Sequence, residues 1–377
     1  MAVVLKRIKE LCYPVTSNIQ INKLEANNGI YPLYGASGLV KNIDFYKIDK
    51  DYISIVKDGA GVGRIEFQKA KSSIVATMQA LFNYDNVDIK WLYYALKSQN
   101  LGKTKSGATI PHIYFKDYGE KFVKFYDLNN QKKIVRTLDA INNVIDNDNR
   151  IIKLLDDCVK TRFFELFANK KENIYFSDCV KKMTKGPFGS SVKKDLYVPE
   201  TDDAYKVYVQ LNCLKKDEKI GDYFISKDYY EKKMKSFKIE ANDYLITCDG
   251  TLGKYIRLSN CPRKGIISAS LLKIKLDENI IIPDYFEVLW DEYLLDELKK
   301  NVRNGCLKHL PSAKEIGKKM IYLPSIEEQQ LFSEFRQYIE LSKKNIKRHI
   351  DLMVELLDKK MDDYFGGKVW ESHCLKG

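Results

Sequence analysis

The sequence predicts a mixed α/β fold: two globular α/β domains separated by two long antiparallel coiled-coil helices, related by a pseudo-two-fold internal repeat. Three observations lead there. The 377 residues match themselves at a shift of 198, the back of each copy carries a heptad rhythm, and the front of each copy sets short β-rich runs between Gly, Asn and Asp turns.

The repeat is ungapped over its constrained part. Gly107, Lys116, Gly119, Lys121 and Gln131 fall on Gly305, Lys314, Gly317, Lys319 and Gln329, and the same shift carries Ile141, Asn147, Arg150, Ile152, Leu154 and Phe167 onto Ile339, Asn345, Arg348, Ile350, Leu352 and Phe365. Upstream the match loosens: Trp91-Leu-Tyr-Tyr-Ala-Leu96 resembles Tyr285-Phe-Glu-Val-Leu-Trp290 at 194, and Asp58-Gly59 resembles Asp249-Gly250 at 191. Two copies of one plan, with divergent fronts and constrained backs, place the differences that bear function in the fronts.

In chain order, the first front (residues 1–128) contains the β-rich run Tyr52-Ile-Ser-Ile-Val56 and a short helix near 88–98. The first spacer helix (129–169) has Asn129 as candidate N-cap, and Ile134, Leu138, Ile141, Ile145, Ile152, Leu155 and Val159 recur in steps of four and three. Asp148 interrupts this seam, either as a register-setting polar residue or as a local splay open to water. The second front (170–324) has Val207-Tyr-Val-Gln-Leu211 and Tyr244-Leu-Ile-Thr247 as strands and a helix near 284–300. The second spacer helix (325–366) starts at the candidate N-cap Ser325 and stops at Gly366-Gly367. Its seam is Phe332, Ile339, Ile346, Ile350, Met353 and Leu357, with Arg336 and Lys343 where the first copy has Leu138 and Ile145. In the tail (367–377), Trp370-Glu-Ser-His-Cys374 resembles Tyr175-Phe-Ser-Asp-Cys179, as though a third copy were beginning, and is expected to complete the first domain.

Composition narrows the function classes. Lys plus Arg number 63 against 51 Asp plus Glu, a net +12, and 45% hydrophobic with 12% aromatic content excludes disordered and collagen-like chains. The longest apolar stretch, around Ile266–Leu272, falls far short of the roughly 18 to 20 residues that span a bilayer, and the start lacks a signal-peptide core, so a cytoplasmic location is expected. Eight cysteines without a CxxC suggest reduced thiols in or near a core, and four histidines without ligand spacing give no metal site. Basicity is permissive for nucleic acid. Two antiparallel helices of about 38 residues would hold the domains at opposite ends of a spacer of roughly 57 Å, the length of about 17 base pairs.

Several segments together resemble one family, and they span essentially the whole chain. These are Ser106-Gly-Ala-Thr-Ile-Pro-His112, the helix start Asp127-Leu-Asn-Asn-Gln131 with its repeat Leu323-Pro-Ser-Ile-Glu-Glu-Gln329, and the helix ends Phe163-Phe-Glu-Leu-Phe167 and Met361-Asp-Asp-Tyr-Phe365. The chain resembles the specificity subunit of type I restriction-modification systems. Tyr126-Asp127 departs from the proline that family usually places before the helix, and the first front lacks an obvious counterpart of Lys185-Gly-Pro-Phe-Gly-Ser190. The resemblance implies two target-recognition domains, each reading one half of a split double-stranded DNA site, and helices that act as a ruler and dock two methyltransferase subunits. It also implies a complex that methylates adenine with S-adenosylmethionine and, with restriction subunits, cleaves DNA using ATP and Mg. The chain itself is expected to be non-catalytic and to bind no cofactor.

The residues agree that chemistry lies elsewhere. No two of the nine prolines are adjacent, which rules out the Asn/Asp-Pro-Pro-Tyr loop of adenine methyltransferases. Arg64 occupies the third Gly position of Asp58-Gly-Ala-Gly-Val-Gly63, and Gly250-Thr-Leu-Gly-Lys254 is too short for a Walker loop, so both are read as turns whose N–H groups could also touch phosphate. The nuclease-like string Pro283-Asp284 with Glu297-Leu-Lys299 falls within one helix and is read as accidental. Candidate DNA contacts are the phosphate-type residues Lys103, Lys105, Lys181, Lys182, Lys185, Lys193, Lys194, Lys308 and His309, and the amide or guanidinium residues Arg64, Gln79, Gln210, Asn212, Arg303 and Asn304. The competing readings are a coiled-coil scaffold without sequence readout and, third, a stand-alone nuclease.

Overall fold

The computed structural model describes residues 3–24, 27–104, 111–167, 170–300 and 309–366. The chain forms two units, residues 1–151 with 345–377, and residues 152–344. Each contains one mixed α/β domain and a segment of both long helices, Leu128–Phe167 and Ile326–Phe365, each of 40 residues.

In the first unit, Tyr52–Val56 is buried along its whole length. It is the inner strand between Met78–Asn83 and Ile65–Gln68, and Cys12–Thr16 closes the four-stranded antiparallel sheet beyond Met78–Asn83. A three-stranded sheet, Gly38–Ile43, Tyr31–Gly35 and Ser73–Ile74, carries a second core around Leu33, Ile43 and Val75. Ile89–Lys97 is a helix because Asp88 accepts hydrogen bonds from the free N–H groups of Lys90 and Trp91, and its Trp91, Leu92, Ala95 and Leu96 all turn inward. The second unit repeats the plan. Val180–Lys185, Leu271–Leu276, Tyr244–Thr247 and Tyr255–Arg257 lie in the same antiparallel order, and Pro283 opens a helical run that passes through a π turn, Trp290–Leu294, to Leu295–Lys300. Its second sheet has four strands, Tyr197–Val198, Phe224–Ile225, Tyr205–Tyr208 and Gly265–Ile267.

Two expectations change in detail. The strand expected over 207–211 is Tyr205–Tyr208, and Gln210 and Leu211 begin a helix, because Asn212 folds back to accept the Val209 N–H. The first long helix is capped by Asp127, whose carboxylate accepts from the Asn130 N–H at 3.0 Å, and Asn129 lies inside the helix. Ser325 does cap the second, exchanging hydrogen bonds with Glu328. The tail expected to complete the first domain lies outside the described residues. The place that Ile174–Tyr175 takes beside Met320–Ile321 in the second unit is taken in the first by Val4–Arg7 beside Phe122–Phe125.

The seam residues face inward throughout. Ile134, Leu138, Ile141 and Val159 are buried on the first helix, as are Phe332, Ile339 and Ile350 on the second, and Ile145, Ile152, Leu155, Ile346, Met353 and Leu357 are half-buried. The segments run antiparallel within each unit. In the first, Tyr126 donates its hydroxyl to the Tyr364 carbonyl at 2.7 Å, the ring of Phe365 meets Trp91, and Asp148 is bonded to His349 at 2.7 Å. In the second, Phe163 packs on Phe332 and Tyr285, and Lys343 meets Asp156 at 2.6 Å. Asp148 is thus a partnered polar residue in the seam.

The same buried glutamine fastens domain to helix twice. The Oε1 of Gln131 accepts the Asp88 N–H at 2.7 Å, and its Nε2 donates to the carbonyls of Tyr126 at 2.7 Å and Asn86 at 3.3 Å. The Oε1 of Gln329 accepts the Ile282 N–H at 2.9 Å, and its Nε2 donates to Pro324 and Ile280, both at 3.0 Å. Both side chains are fully buried. Two turns further the polarity of the contact reverses. In the first unit Lys90 and Tyr94 of the domain helix hold Asp139 of the long helix at 2.5 and 2.7 Å. In the second, Asp284 and Glu287 of the domain helix hold Arg336 of the long helix at 3.0 and 2.7 Å.

Gln131→Ala or Gln329→Ala leaves one N–H and two carbonyls without partners. At roughly 1–3 kcal/mol for each unsatisfied buried group, a loss on the order of 3 kcal/mol is expected, read by urea denaturation. Lys90→Glu should destabilise the first unit by about 1 kcal/mol, the discount reflecting a partly exposed pair, and adding Asp139→Lys should restore most of it in a double-mutant cycle.

Candidate nucleic-acid interface

In each unit a glycine turn and a histidine meet. The turn from Asp58 to Gly63 links Tyr52–Val56 to Ile65–Gln68 and needs three residues at positive φ, Gly59, Gly61 and Gly63. Gly63 also lies so close to the Leu101–Thr104 turn that a Cβ would fall 2.3 Å from the Gly102 nitrogen. Pro111 and Ile113 bind back to this turn through Gly59 N to Pro111 O and Ile113 N to Lys57 O, both 3.0 Å, and set His112 opposite Asp58. The imidazole Nδ1 then lies 2.7 Å from Asp58 Oδ1. The second unit builds the same pair: Leu310 N bonds to Cys248 O at 2.9 Å, His309 stands opposite Asp249, and Nδ1 lies 2.7 Å from Asp249 Oδ1.

Around the second pair is a cavity of about 810 Å³ lined by Lys185, Phe188, Lys233, Phe237, Asp249 and His309. Its rim is the loop after Val180–Lys185, where Gly186 is required: a Cβ would stand 1.9 Å from the Ser268 carbonyl oxygen. That close approach seats Pro187 inside and leaves Phe188 at the tip 87% exposed. Gln210 braces the opposite side, donating Nε2 to the Asp249 carbonyl at 2.9 Å. The strand Cys12–Thr16 stands in the first unit where Val180–Lys185 stands in the second, and Ser17-Asn18 follows it with no glycine or aromatic residue.

The sequence-expected contacts divide accordingly. Lys185, Gln210 and His309 converge on Asp249. Lys181, Lys182, Lys193 and Lys194 are exposed on the same strand and the turns after it, with Lys181 3.7 Å from Asp277. Arg64 is exposed and donates Nη1 to the Ala36 carbonyl at 2.5 Å. Two expectations are corrected. Gln79 is buried and accepts the Tyr118 hydroxyl at 2.6 Å, and Asn212 is fully buried with its amide spent on Val209, Asp217 and Ile220, so both side chains are turned into the fold. Lys105, Arg303, Asn304, Lys308 and the side chain of Lys103 lie outside the described residues. Sequence reading missed Asp58, His112, Asp249, Phe188 and Lys233. The available signal was weak: an Asp-Gly match at one shift and a histidine match at another, 309 against 112.

The long helices together hold 14 basic and 15 acidic residues, so the net positive charge lies wholly in the rest of the chain. Among the described residues no group of three or more His, Cys, Asp or Glu side chains could hold a metal ion, and no helix is long and apolar enough to cross a membrane. Cys12, Cys179, Cys213 and Cys248 are buried, and burial pushes each thiol up to about 12, far from a reactive thiolate.

Residues 2–156 match the family described as type I restriction modification DNA specificity domain. The chain is 26% identical over 196 residues to the type I restriction enzyme MjaVIII specificity subunit of Methanocaldococcus jannaschii, covering 51% of this chain and 42% of that one. The chain spans about half the length of the curated relatives it matches. Two solved structures share its fold. One is the S subunit of a type I restriction-modification system from M. genitalium, with TM-score 0.56, 17% identity and coverage of 97% and 96%. The other comes from work on complex assembly and conformational transition of the type I R-M system, with TM-score 0.63, 12% identity and coverage of 96% and 97%. The sequence match over residues 2–156 and the shared fold thus point the same way. The chain as a whole has the fold of a type I specificity subunit.

Brief alkylation of the folded protein followed by peptide mass spectrometry should modify the exposed Cys158 and Cys261 and spare Cys12, Cys179, Cys213 and Cys248 until denaturant is added.

Proposed function

We propose that the chain is the non-catalytic DNA-specificity subunit of a cytoplasmic type I restriction-modification complex. Each domain reads one half of a bipartite, asymmetric site on double-stranded DNA. The two long helices set the separation of the half-sites and dock two methyltransferase subunits. The complex uses S-adenosylmethionine for adenine methylation, and ATP with Mg when restriction subunits join. The observation that carries this reading is the repetition, in both units, of one sheet order, one glutamine clamp and one Asp–His pair, while the loops around the pair differ. One plan with two different faces is what an asymmetric split site requires, because each face meets its own bases.

Phosphate contacts are assigned to Lys103, Lys105, Lys181, Lys182, Lys185, Lys193, Lys194, Lys308 and His309, and base-edge contacts to Arg64, Arg303 and Asn304. Gln210, which holds the Asp249 turn, is assigned a positioning role. A helix of 40 residues rises about 60 Å, which suits half-sites lying more than one turn of duplex apart.

Mapping N6-methyladenine across the genome of cells that carry this chain with its methyltransferase subunits should give one split motif, and exchanging residues 170–324 for those of a homologue should change only one half of it. A continuous motif, or methylation without a motif, would sink the reading and leave a scaffold role.

A further inference from the structure

The Asp58–His112 and Asp249–His309 pairs need a reason beyond folding. Their side chains are 29% and 34% exposed in the first unit and 36% and 68% exposed in the second. Ion pairs that open to water contribute on the order of 0–1 kcal/mol, too little to explain why two fronts that differ elsewhere both keep one at the same turn. In both, Nδ1 is taken by the carboxylate, and Nε2 has no partner among the described residues. The carboxylate thereby fixes the ring and leaves one nitrogen for something outside the protein.

The charge of the pair says what that is. With a neutral imidazole the pair carries −1 and repels phosphate. With a protonated one it is neutral overall and offers an Nε2–H as a charge-assisted donor. Lys185 and Lys233 share the cavity with His309, and Lys57 stands 3.6 Å from the carboxylate of Asp58, so both sites favour an anion. We propose that the two pairs are matched contacts to DNA phosphate, one in each unit, made by the protonated imidazole. This rests on the DNA-reading function above. DNA and proton then bind together: affinity is greatest where the imidazoles are protonated and falls as pH rises through their titration. The other groups that face His112 are Asp58, Lys57, the ring of Tyr114 stacked on it at 6.3 Å, and Lys116 over that ring. Those that face His309 are Asp249, Lys185 and Lys233. Imidazole is the side chain whose charge changes between about pH 5 and pH 8, so the imidazoles supply the response.

The test is the affinity of the full chain, alone or with its methyltransferase subunits, for a duplex oligonucleotide from about pH 5.5 to about pH 8.5 at fixed salt. The wild type should weaken roughly tenfold per pair across that range. His112→Gln with His309→Gln keeps an uncharged donor and should bind with a flattened profile. Asp58→Asn with Asp249→Asn should move the profile to lower pH, since an amide no longer stabilises the imidazolium. His349→Gln, which removes the histidine bonded to Asp148, should leave it unchanged. The single His309→Gln, at an exposed position, should remove about half the response and guards against misfolding of the double variants. If wild type and variants bind duplex with the same pH profile, the proton-linked contact is wrong and DNA reading stands. If the folded chain binds no duplex at any pH, both fall together.

Discussion

A buried primary amide at the first turn of each long helix governs the remainder of this structure. Gln131 and Gln329 each take one backbone N–H from the start of the domain helix and give two hydrogens to carbonyls on either side. Only a side chain with one acceptor and two donors on a planar group can satisfy all three without water. Because the cost of leaving any of them open exceeds the worth of most single contacts, the helix can dock on its domain in one register. The orientation of the seam residues, the antiparallel pairing inside each unit and the placement of the sheet relative to the helix start follow from that register.

The domain helix then distinguishes its own long helix from the other. With Lys90 facing Asp139 in one unit and Asp284 and Glu287 facing Arg336 in the other, the wrong combination would bring Lys90 toward Arg336, or Asp284 toward Asp139. Like charges at a partly buried contact exclude an arrangement more firmly than the correct pair favours its own. The shared glutamine supplies affinity and the reversed charges supply identity.

Much of this was legible in the sequence. The heptad steps marked seam residues that all face inward, and Tyr52–Val56 and Tyr244–Thr247 were readable as strands because every side chain in them is apolar or small and both are wholly buried. Gln131 and Gln329 were visible as a repeated identity, but their role was not, since two of the three backbone partners of each are brought in from more than 40 residues upstream. The Asp–His pairs were hidden by sequence separations of 54 and 60. Asn212 and Gln79 look like base readers by residue type alone. Burial decides otherwise, and burial depends on which neighbours the fold delivers.

The division of the chain also sets an order of events. Residues 152–344 form one uninterrupted unit, whereas the first unit closes only when Tyr364 and Phe365 reach Tyr126 and Trp91, a separation of 238 residues for the Tyr126–Tyr364 hydrogen bond. On the ribosome the first domain is therefore made early and finished late. Its core includes Met361 and Phe365, so that core is complete only once the end of the second long helix has been made.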